Sequence, residues 1–164
     1  MEEKERFMKA AIKEALKAKK KGEVPVGAII VKDGEVISRG YNLRETKHNS
    51  LKHAEIIAID KACKKLENFR LQSCDLYVTV EPCLMCAGAI VQSRIKKVYF
   101  GTRDEKYGVV TSVANVFDIK SNHYVEYEEG ICQEECKEII KTFFKELRKN
   151  KKQVNECKDK TQLG

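Results

Sequence analysis

Apolar residues return every three or four positions over residues 3–20, which predicts an amphipathic helix at the start of the chain. A β-rich apolar run from Val24 to Val31 follows, and Asp33-Gly34 is a strong signal for a two-residue hairpin turn. A second strand from Val36 to Tyr41 completes the predicted hairpin. The polar residues 43–52 are predicted to form a loop.

Helices and strands alternate in the rest of the chain. The pattern predicts a helix over residues 51–66 with Ser50 as its N-cap. The further elements expected are a strand over 76–80, a helix from Pro82 to about residue 93, a strand over 97–101, a weak strand over 124–127 and a last helix after Gly130. Strands that alternate with helices indicate a layered α/β domain.

Length and composition narrow the class of protein. The 164 residues fit one domain, which we expect to span residues 1–150, with residues 151–164 as a basic, disordered tail. The 42% apolar and 35% charged residues are typical of a globular chain, and 9 Gly with 2 Pro exclude a fibrous one. No run approaches the ~20 apolar residues of a membrane span, and no secretory signal opens the chain, so no membrane association is expected.

The charge is uneven along the chain. The formal net charge is +7, and residues 1–21 hold eight Lys or Arg against four Glu. Residues 145–164 hold seven Lys or Arg against three acids. Basic termini are read most simply as solvated lysine faces, with a nucleic acid as the next interpretation and a membrane surface as a distant third.

The cysteine count bears on the cellular compartment. There are seven cysteines, an odd number, and no export signal accompanies them. A disulfide framework is therefore not expected, and a reducing cytoplasm fits best. Some of the thiols then become candidates for metal binding, and the others are expected to pack as small apolar residues.

Three of the candidate metal ligands lie near predicted helix starts. His53 is followed by Glu55 after one residue, and Pro82-Cys83 is followed by Cys86 after two more. Cys83 and Cys86 share one face of a first helical turn, where the helix dipole favours thiolates. Taken alone, a cysteine pair of this spacing leaves redox and metal chemistry open, and a lone histidine is more often a packing residue.

Together, one histidine and two cysteines make three zinc ligands. Structural zinc sites normally have four protein ligands, whereas three leave a position for water. Zinc lowers the pKa of such a water from ~15.7 towards ~7. Glu55 is then placed to act as the proton shuttle, first taking a proton from the water and then giving it to a leaving amine. His-x-Glu followed by Pro-Cys-x-x-Cys is the signature of zinc nucleobase deaminases.

The resemblance extends well beyond this signature. Over residues 5–149 the chain resembles the bacterial tRNA-specific adenosine deaminase (TadA) family, within the zinc-dependent cytidine/deoxycytidylate deaminase superfamily. The matching segments are EVPVGAI (23–29), GYN (40–42), HAEI (53–56), LYVTVEPCLMCAGAI (76–90), SRI (93–95), GTRD (101–104) and TFF (142–144).

The resemblance implies a fold, an activity and an assembly. The implied fold is the three-layer α/β/α cytidine-deaminase-like fold, with a mixed β-sheet and helices on both of its faces. The implied activity is zinc-dependent hydrolytic deamination of adenosine to inosine at the wobble position of a tRNA anticodon. One Zn²⁺ per subunit, a tRNA anticodon stem-loop as substrate and a homodimer follow from the same resemblance.

Site residues carry over position by position. His53, Cys83 and Cys86 match the zinc ligands, and Glu55 matches the proton shuttle. The positions that match substrate contacts are Asn42 for the target nucleoside, Val24 for the wall of the base pocket, Arg103 and Asp104 for the loop that approaches the anticodon, and Phe144 for an aromatic beside the RNA. Taken alone, Asn42 also suits a turn, and Val24 and Phe144 also suit the core.

The departures from the family pattern lie where substrate is held. The family usually has Asp-Pro-Thr-Ala before its His-Ala-Glu, and here these positions are Asn49-Ser50-Leu51-Lys52. The stretch from Lys106 to Ser112 and the residue Tyr124 also depart from the pattern. The metal signature is unchanged, so the chemistry is better supported than the identity of the substrate.

Three other functions remain open from the sequence. One is a deaminase of a free base or nucleoside such as guanine, adenine or cytosine. Another is a non-enzymatic RNA-binding module or inactive partner subunit, although the intact Glu55 argues against it. The last is a structural zinc module, which needs a fourth ligand such as Cys74 or His48.

Overall fold

Five strands form one mixed sheet in the order β2-β1-β3-β4-β5. The structure is a computed structural model that describes residues 2–162, with side chains to residue 159. β1 is antiparallel to β2 and β3, whereas β3, β4 and β5 run parallel. The strands are β1 (Gly27–Lys32), β2 (Glu35–Tyr41), β3 (Cys74–Val80), β4 (Lys97–Thr102) and β5 (Glu126–Glu129).

Helices cover both faces of this sheet, which confirms the predicted α/β/α architecture. They are α1 (Glu3–Lys20), α2 (Ala54–Leu66), α3 (Leu84–Gln92) and α4 (Gln133–Gln162). Alternate residues of a strand point to opposite faces, so two cores form. One face packs Leu76, Val78 and Phe100 against α2 and α3, and the other packs Tyr77 and Tyr99 against α1 and the start of α4. No helix of the described residues is long and apolar enough to cross a membrane.

The predicted hairpin turn is confirmed. Lys32 pairs with Glu35, so Asp33 and Gly34 alone form the turn. Their φ angles are 50° and 76°. Two successive positive φ values are what a type I′ turn requires, and Asp-Gly is a preferred pair for it.

Several element boundaries differ from the sequence prediction. β1 begins at Gly27 rather than Val24, because Val24–Val26 form a tight turn in which the Val26 amide donates to the Val24 carbonyl over 2.9 Å. α2 begins at Ala54, so its N-cap is His53, and Ser50 as the N-cap is wrong. β5 covers residues 126–129 rather than 124–127.

The C-terminal segment also differs from its prediction. Helix α4 continues to Gln162, where a disordered tail was expected from residue 151. The helix has no internal stop, since no Gly or Pro occurs from residue 131 to 162 and most residues there favour helix. Side chains 151–159 are exposed, and residues 163–164 of the predicted tail lie outside the described residues. The boundary at residue 150 for a single deaminase domain stays a prediction.

Two helix starts meet at one end of the sheet. Gly40 of β2 allows the first turn of α2 to approach closely, because a Cβ at Gly40 would lie 2.5 Å from the Ala54 carbonyl oxygen. α3 begins directly after β3, through Glu81, Pro82 and Cys83. The close approach of α2 and the short β3–α3 connection place the candidate site residues at this end.

Candidate active site

The structure brings His53, Cys83 and Cys86 together at the starts of α2 and α3. His53 and Cys83 are the N-cap residues of the two helices, and Cys86 lies in the first turn of α3. The His53 Nδ1 atom lies 3.7 Å from the Cys83 Sγ and 3.6 Å from the Cys86 Sγ. All the ligand atoms of this cluster lie within 4.8 Å of one another.

The donor set of this cluster fits a metal ion. One imidazole nitrogen and two sulfurs suit zinc, and three protein ligands leave one tetrahedral position. Among residues 2–162, this is the group of His, Cys, Asp or Glu side chains that could hold an ion. Cys74 is buried in the core at the start of β3 and His48 is exposed in the loop before α2, so neither joins the cluster as a fourth ligand.

A hydrogen bond joins the two thiols of the cluster and shifts their pKa values in opposite directions. The Cys86 thiol donates to Cys83, which lowers the pKa of Cys83 to about 4 and raises that of Cys86. Contact with Cys83 also raises the pKa of His53. The hydrogen bond from Cys86 and the contact with His53 therefore favour the thiolate form of Cys83, which is the form that binds a metal ion.

Glu55 lies in the first turn of α2 beside the cluster and is 4% exposed. Burial raises the pKa of its carboxyl to about 7, and the nearby His53 opposes part of that rise. A carboxyl group with a pKa near neutrality can both accept and release a proton at physiological pH. His53 and Glu55 point into the same site because they stand at a helix start, where the backbone changes direction.

Val24 and Asn42 are brought together at the entrance of the β1–β2 hairpin. The Asn42 side-chain Nδ2 donates to the Val24 carbonyl oxygen over 3.4 Å. Asn42 is 6% exposed, and Val24 is half-buried. Asn42 also accepts from the Arg44 amide over 3.4 Å, a contact typical of a turn, and its role towards the substrate stays a prediction.

Arg103 and Asp104 begin an irregular segment after β4, and both make contacts within the protein. The Arg103 guanidinium forms a forked ion pair with Glu129, with an Nη2–Oε1 distance of 2.7 Å. The Asp104 carboxylate accepts from the amides of Lys106 and Tyr107, both over 3.1 Å. The carboxylate of Asp104 therefore closes a turn in its own loop.

Phe143 and Phe144 divide between core and surface. Phe143 is 9% exposed, whereas Phe144 is 38% exposed, and their rings meet edge-to-face at 5.4 Å. The outward residue is the one that matches an RNA-contacting aromatic. No hydrogen bond or ring contact of the described residues joins Phe144 to the metal cluster.

Comparison with known proteins identifies the family. A family model described as MafB19-like deaminase matches residues 2–148. The tRNA-specific adenosine deaminase of Bacillus subtilis (strain 168) is 51% identical over 153 residues, which cover 93% of this chain and 95% of that protein. The chain belongs to the tRNA-specific adenosine deaminase family.

Solved structures agree with this family. One structure from biochemical and structural studies of A-to-I editing by tRNA:A34 deaminases superposes with a TM-score of 0.79 and 41% identity, over 82% of this chain and 98% of that chain. A guanine deaminase from Bacillus subtilis superposes less well, with a TM-score of 0.58 and 32% identity, over 72% of this chain and 86% of that one. The resemblance to the tRNA-specific adenosine deaminase family is thereby confirmed.

Two buried carboxylates beside the site were missed by the motif reasoning. Glu23 is 2% exposed and accepts from the amides of Glu45 and Thr46 over 3.2 and 2.7 Å. Glu81 is 3% exposed and accepts from the segment after β4. The sequence holds a weak signal for each, since Glu81 follows an apolar strand and directly precedes Pro82, and Glu23 opens an apolar run two residues before Pro25.

Proposed function

We propose that this family member hydrolytically deaminates adenosine to inosine at the wobble position of a tRNA anticodon. The observation that carries the proposal is the cluster of His53, Cys83 and Cys86 beside the buried Glu55, in a chain of the tRNA-specific adenosine deaminase family. The reaction adds water at C6 of adenine and releases the exocyclic amine as ammonia.

His53, Cys83 and Cys86 are proposed to hold one Zn²⁺ per chain. When bound at three protein ligands, zinc supplies a water whose pKa is lowered towards ~7. Binding of the cation needs Cys83 and Cys86 as thiolates and His53 as a neutral imidazole, so these side chains release any protons they carry when the metal enters.

Glu55 is proposed to move the proton in both halves of the reaction. Its carboxylate takes a proton from the attacking water, and the resulting carboxylic acid delivers that proton to the amine that leaves. Burial raises the pKa of the Glu55 carboxyl, whereas the charge of a bound cation would favour its ionised form, which the first proton transfer needs. The same burial keeps bulk water from the reacting centre.

The substrate is proposed to lie between three parts of the protein around the metal cluster. These are Val24 with Asn42, Arg103 with Asp104, and Phe144, and we call them together the rim. Asn42 hydrogen-bonds the target nucleoside and Val24 packs against its base, while Arg103 and Asp104 approach the neighbouring anticodon nucleotides. Phe144 offers an exposed ring on which a splayed base can stack, an interaction worth ~1–3 kcal/mol per base. The net charge of +7 favours the phosphates of an RNA over a neutral free base.

We also propose that the protein is a homodimer, that it acts on the anticodon stem-loop, and that it does so in the cytoplasm. The support for this is the family membership, together with seven cysteines, an odd number that does not fit a disulfide framework. Reduced thiols are typical of a cytoplasmic protein.

A deamination assay on the zinc-loaded protein tests the proposal. One substrate is an anticodon stem-loop with adenosine at the wobble position, and the others are free adenine, guanine, cytosine and their nucleosides. We expect inosine in the RNA and little turnover of the free compounds. Turnover of a free base with the RNA untouched would keep the chemistry of Glu55 and overturn the substrate, and guanine is the informative control because of the 32% identity to a guanine deaminase.

A further inference from the structure

Glu81 stands between the metal cluster and the loop that follows β4. It is the residue between the end of β3 and Pro82-Cys83, and it is 3% exposed. Its Oε1 accepts from the Asp104 amide over 3.2 Å and from the Ser112 hydroxyl. Its Oε2 accepts from the amides of Val110, Thr111 and Ser112 over 3.0, 2.8 and 3.0 Å. All five donors belong to residues 104–112, which we call the Glu81 loop.

The Glu81 carboxylate and the Glu81 loop stabilise each other. No cation of the described residues forms an ion pair with Glu81, so amide and hydroxyl donors are the direct partners of its charge, with Arg103 attracting it from a greater distance. Hydrogen bonds to an ionised acceptor are the stronger kind, and a buried charge without them is costly. The same bonds satisfy amides in a segment that has no regular secondary structure.

The Glu81 loop also packs closely against the connection that carries Cys83. A Cβ at Gly108 would lie 2.3 Å from the Glu81 carboxyl carbon and 2.6 Å from the Asp104 carbonyl oxygen, so only glycine fits there. The Val109 amide donates to the Pro82 carbonyl oxygen over 3.1 Å. The loop is therefore attached to both residues that immediately precede the metal ligand Cys83.

We propose that Glu81 is a positioning residue for the RNA substrate: by binding the backbone of the Glu81 loop, it holds Arg103 and Asp104 in register with the metal cluster. The inference rests on the proposed function for the identity of the substrate. Glu81 itself contacts neither the reacting atoms nor the RNA. Its effect is on substrate binding, because the residues it holds are those predicted to approach the anticodon.

The variant Glu81→Gln tests this role. Both carboxylate oxygens of Glu81 accept hydrogen bonds, whereas a glutamine has one oxygen and one NH₂ group. The NH₂ group would face one set of donors, so the hydrogen bonds of that set would be lost. We expect zinc to remain at one per chain and kcat on saturating stem-loop to change little. KM for the stem-loop should rise about tenfold or more, since bonds to a charged acceptor are lost. Exchange of the amide hydrogens of Val110, Thr111 and Ser112 should become faster.

Glu14→Gln is the matched control. Glu14 is also 3% exposed, but it lies in α1 and pairs with Lys17, so its loss leaves the Glu81 loop intact. Ser112→Ala is the milder variant if Glu81→Gln does not fold. It removes one donor of the five, and KM should rise by less than in Glu81→Gln while kcat holds.

Three outcomes would overturn the proposal. A KM for Glu81→Gln equal to that of the wild type would show that the loop needs no carboxylate for binding. Loss of zinc with a matching fall in kcat would assign Glu81 to the metal site instead. If the wild type does not deaminate the stem-loop, the proposed function fails by itself, and unchanged exchange at residues 110–112 would then separately reject the positioning role.

Discussion

The metal cluster and the rim of the site are built in different ways. His53, Cys83 and Cys86 stand on two helix starts, and each helix packs on the same sheet face. Apart from Phe144 on α4, the rim residues lie on irregular segments, and amides of the loops around them bind Glu23 and Glu81. The reacting groups are therefore fixed by packed helices, whereas the substrate contacts depend on a few long-range hydrogen bonds.

This difference separates chemistry from recognition. Residues at the start of a packed helix move little, so the distances among metal ligands and proton shuttle are kept. Loops tolerate sequence change more readily than the elements they connect. The departures of this chain from the family pattern, such as Asn49-Ser50-Leu51-Lys52, lie in the loop before α2 and leave the cluster unchanged. Substitutions in the metal cluster should thus abolish turnover, and substitutions in the rim should weaken binding of the RNA.

The largest effect is expected from removing the metal. Cys86→Ala, or treatment of the wild type with a chelator, should reduce bound zinc below one per chain and abolish deamination. The melting temperature should also fall, because metal bound to the folded state stabilises it. Metal analysis and thermal melting check this, with Cys157→Ala as an exposed cysteine control outside the cluster. Full activity of metal-free Cys86→Ala would contradict the assignment.

Glu55→Gln should lower turnover by about 10²–10⁴-fold, the usual contribution of a general acid–base group. Gln keeps the size of the side chain but does not take up the proton of the attacking water. Zinc content and stem-loop affinity should stay near those of the wild type, since Glu55 is not a ligand in the cluster. Single-turnover inosine formation measures the effect. Turnover within a few-fold of the wild type would reject Glu55 as the proton shuttle.

The features that could be predicted from the sequence are those set by residues close together in the chain. The Asp33-Gly34 turn needs only two residues with positive φ, and its prediction is confirmed. The cluster combines two motifs that each span at most four residues, and helix starts present them. Their complementary ligands at predicted helix starts already indicated one site, and the resemblance supports this pairing of motifs that are 30 residues apart in the chain.

The parts that were missed depend on distant partners. Glu81 binds donors 23 to 31 residues away, and Glu23 binds donors 22 and 23 residues away. No periodicity or short motif encodes such pairs. The N-cap at Ser50 is wrong for a related reason, because the chain before α2 is held as a loop by bonds such as that from the Leu43 amide to the Lys52 carbonyl over 2.9 Å.

On the rim, Glu23→Gln should destabilise the protein in a pH-dependent way. Burial opposes ionisation of Glu23, but hydrogen bonds from Thr46 and Glu45 outweigh it and lower its pKa. A lowered folded-state pKa contributes stability above the unfolded value of ~4.5, and this contribution is lost as the pH falls through the folded pKa. We expect a loss of ~1.5–3 kcal/mol at pH 7, measured by urea unfolding.

The control for Glu23→Gln is urea unfolding of the wild type and the variant at acid pH. The difference in unfolding free energy between wild type and variant should shrink as the pH falls below ~4.5, because Glu23 then takes up a proton in the unfolded wild type before it does so in the folded one. A difference that stays constant from pH 7 to pH 4 would mean that the charge of Glu23 does not hold the loop of Glu45 and Thr46.

Phe144→Ala should weaken stem-loop binding by ~1–3 kcal/mol if a base stacks on the exposed ring. Turnover at saturating RNA should change little, because the ring makes no described contact with the cluster. Fluorescence anisotropy with a labelled stem-loop measures the affinity. Phe143→Ala is the contrasting variant, since Phe143 is 9% exposed and its loss should lower thermal stability more than affinity. Equal affinities for Phe144→Ala and the wild type would place the RNA elsewhere.

The smallest expected effects concern Arg103, which an RNA phosphate can reach only by competing with Glu129. This ion pair is largely exposed, at 53% and 34% of the two side chains, so Glu129→Gln should change the stability of the protein little. The same change should tighten RNA binding modestly by freeing the guanidinium. Arg103→Ala should weaken binding and reduce the slope of log affinity against log salt by ~1. An unchanged salt slope in Arg103→Ala would mean that Arg103 serves only to hold Glu129, and the rim would then bind RNA through other cations.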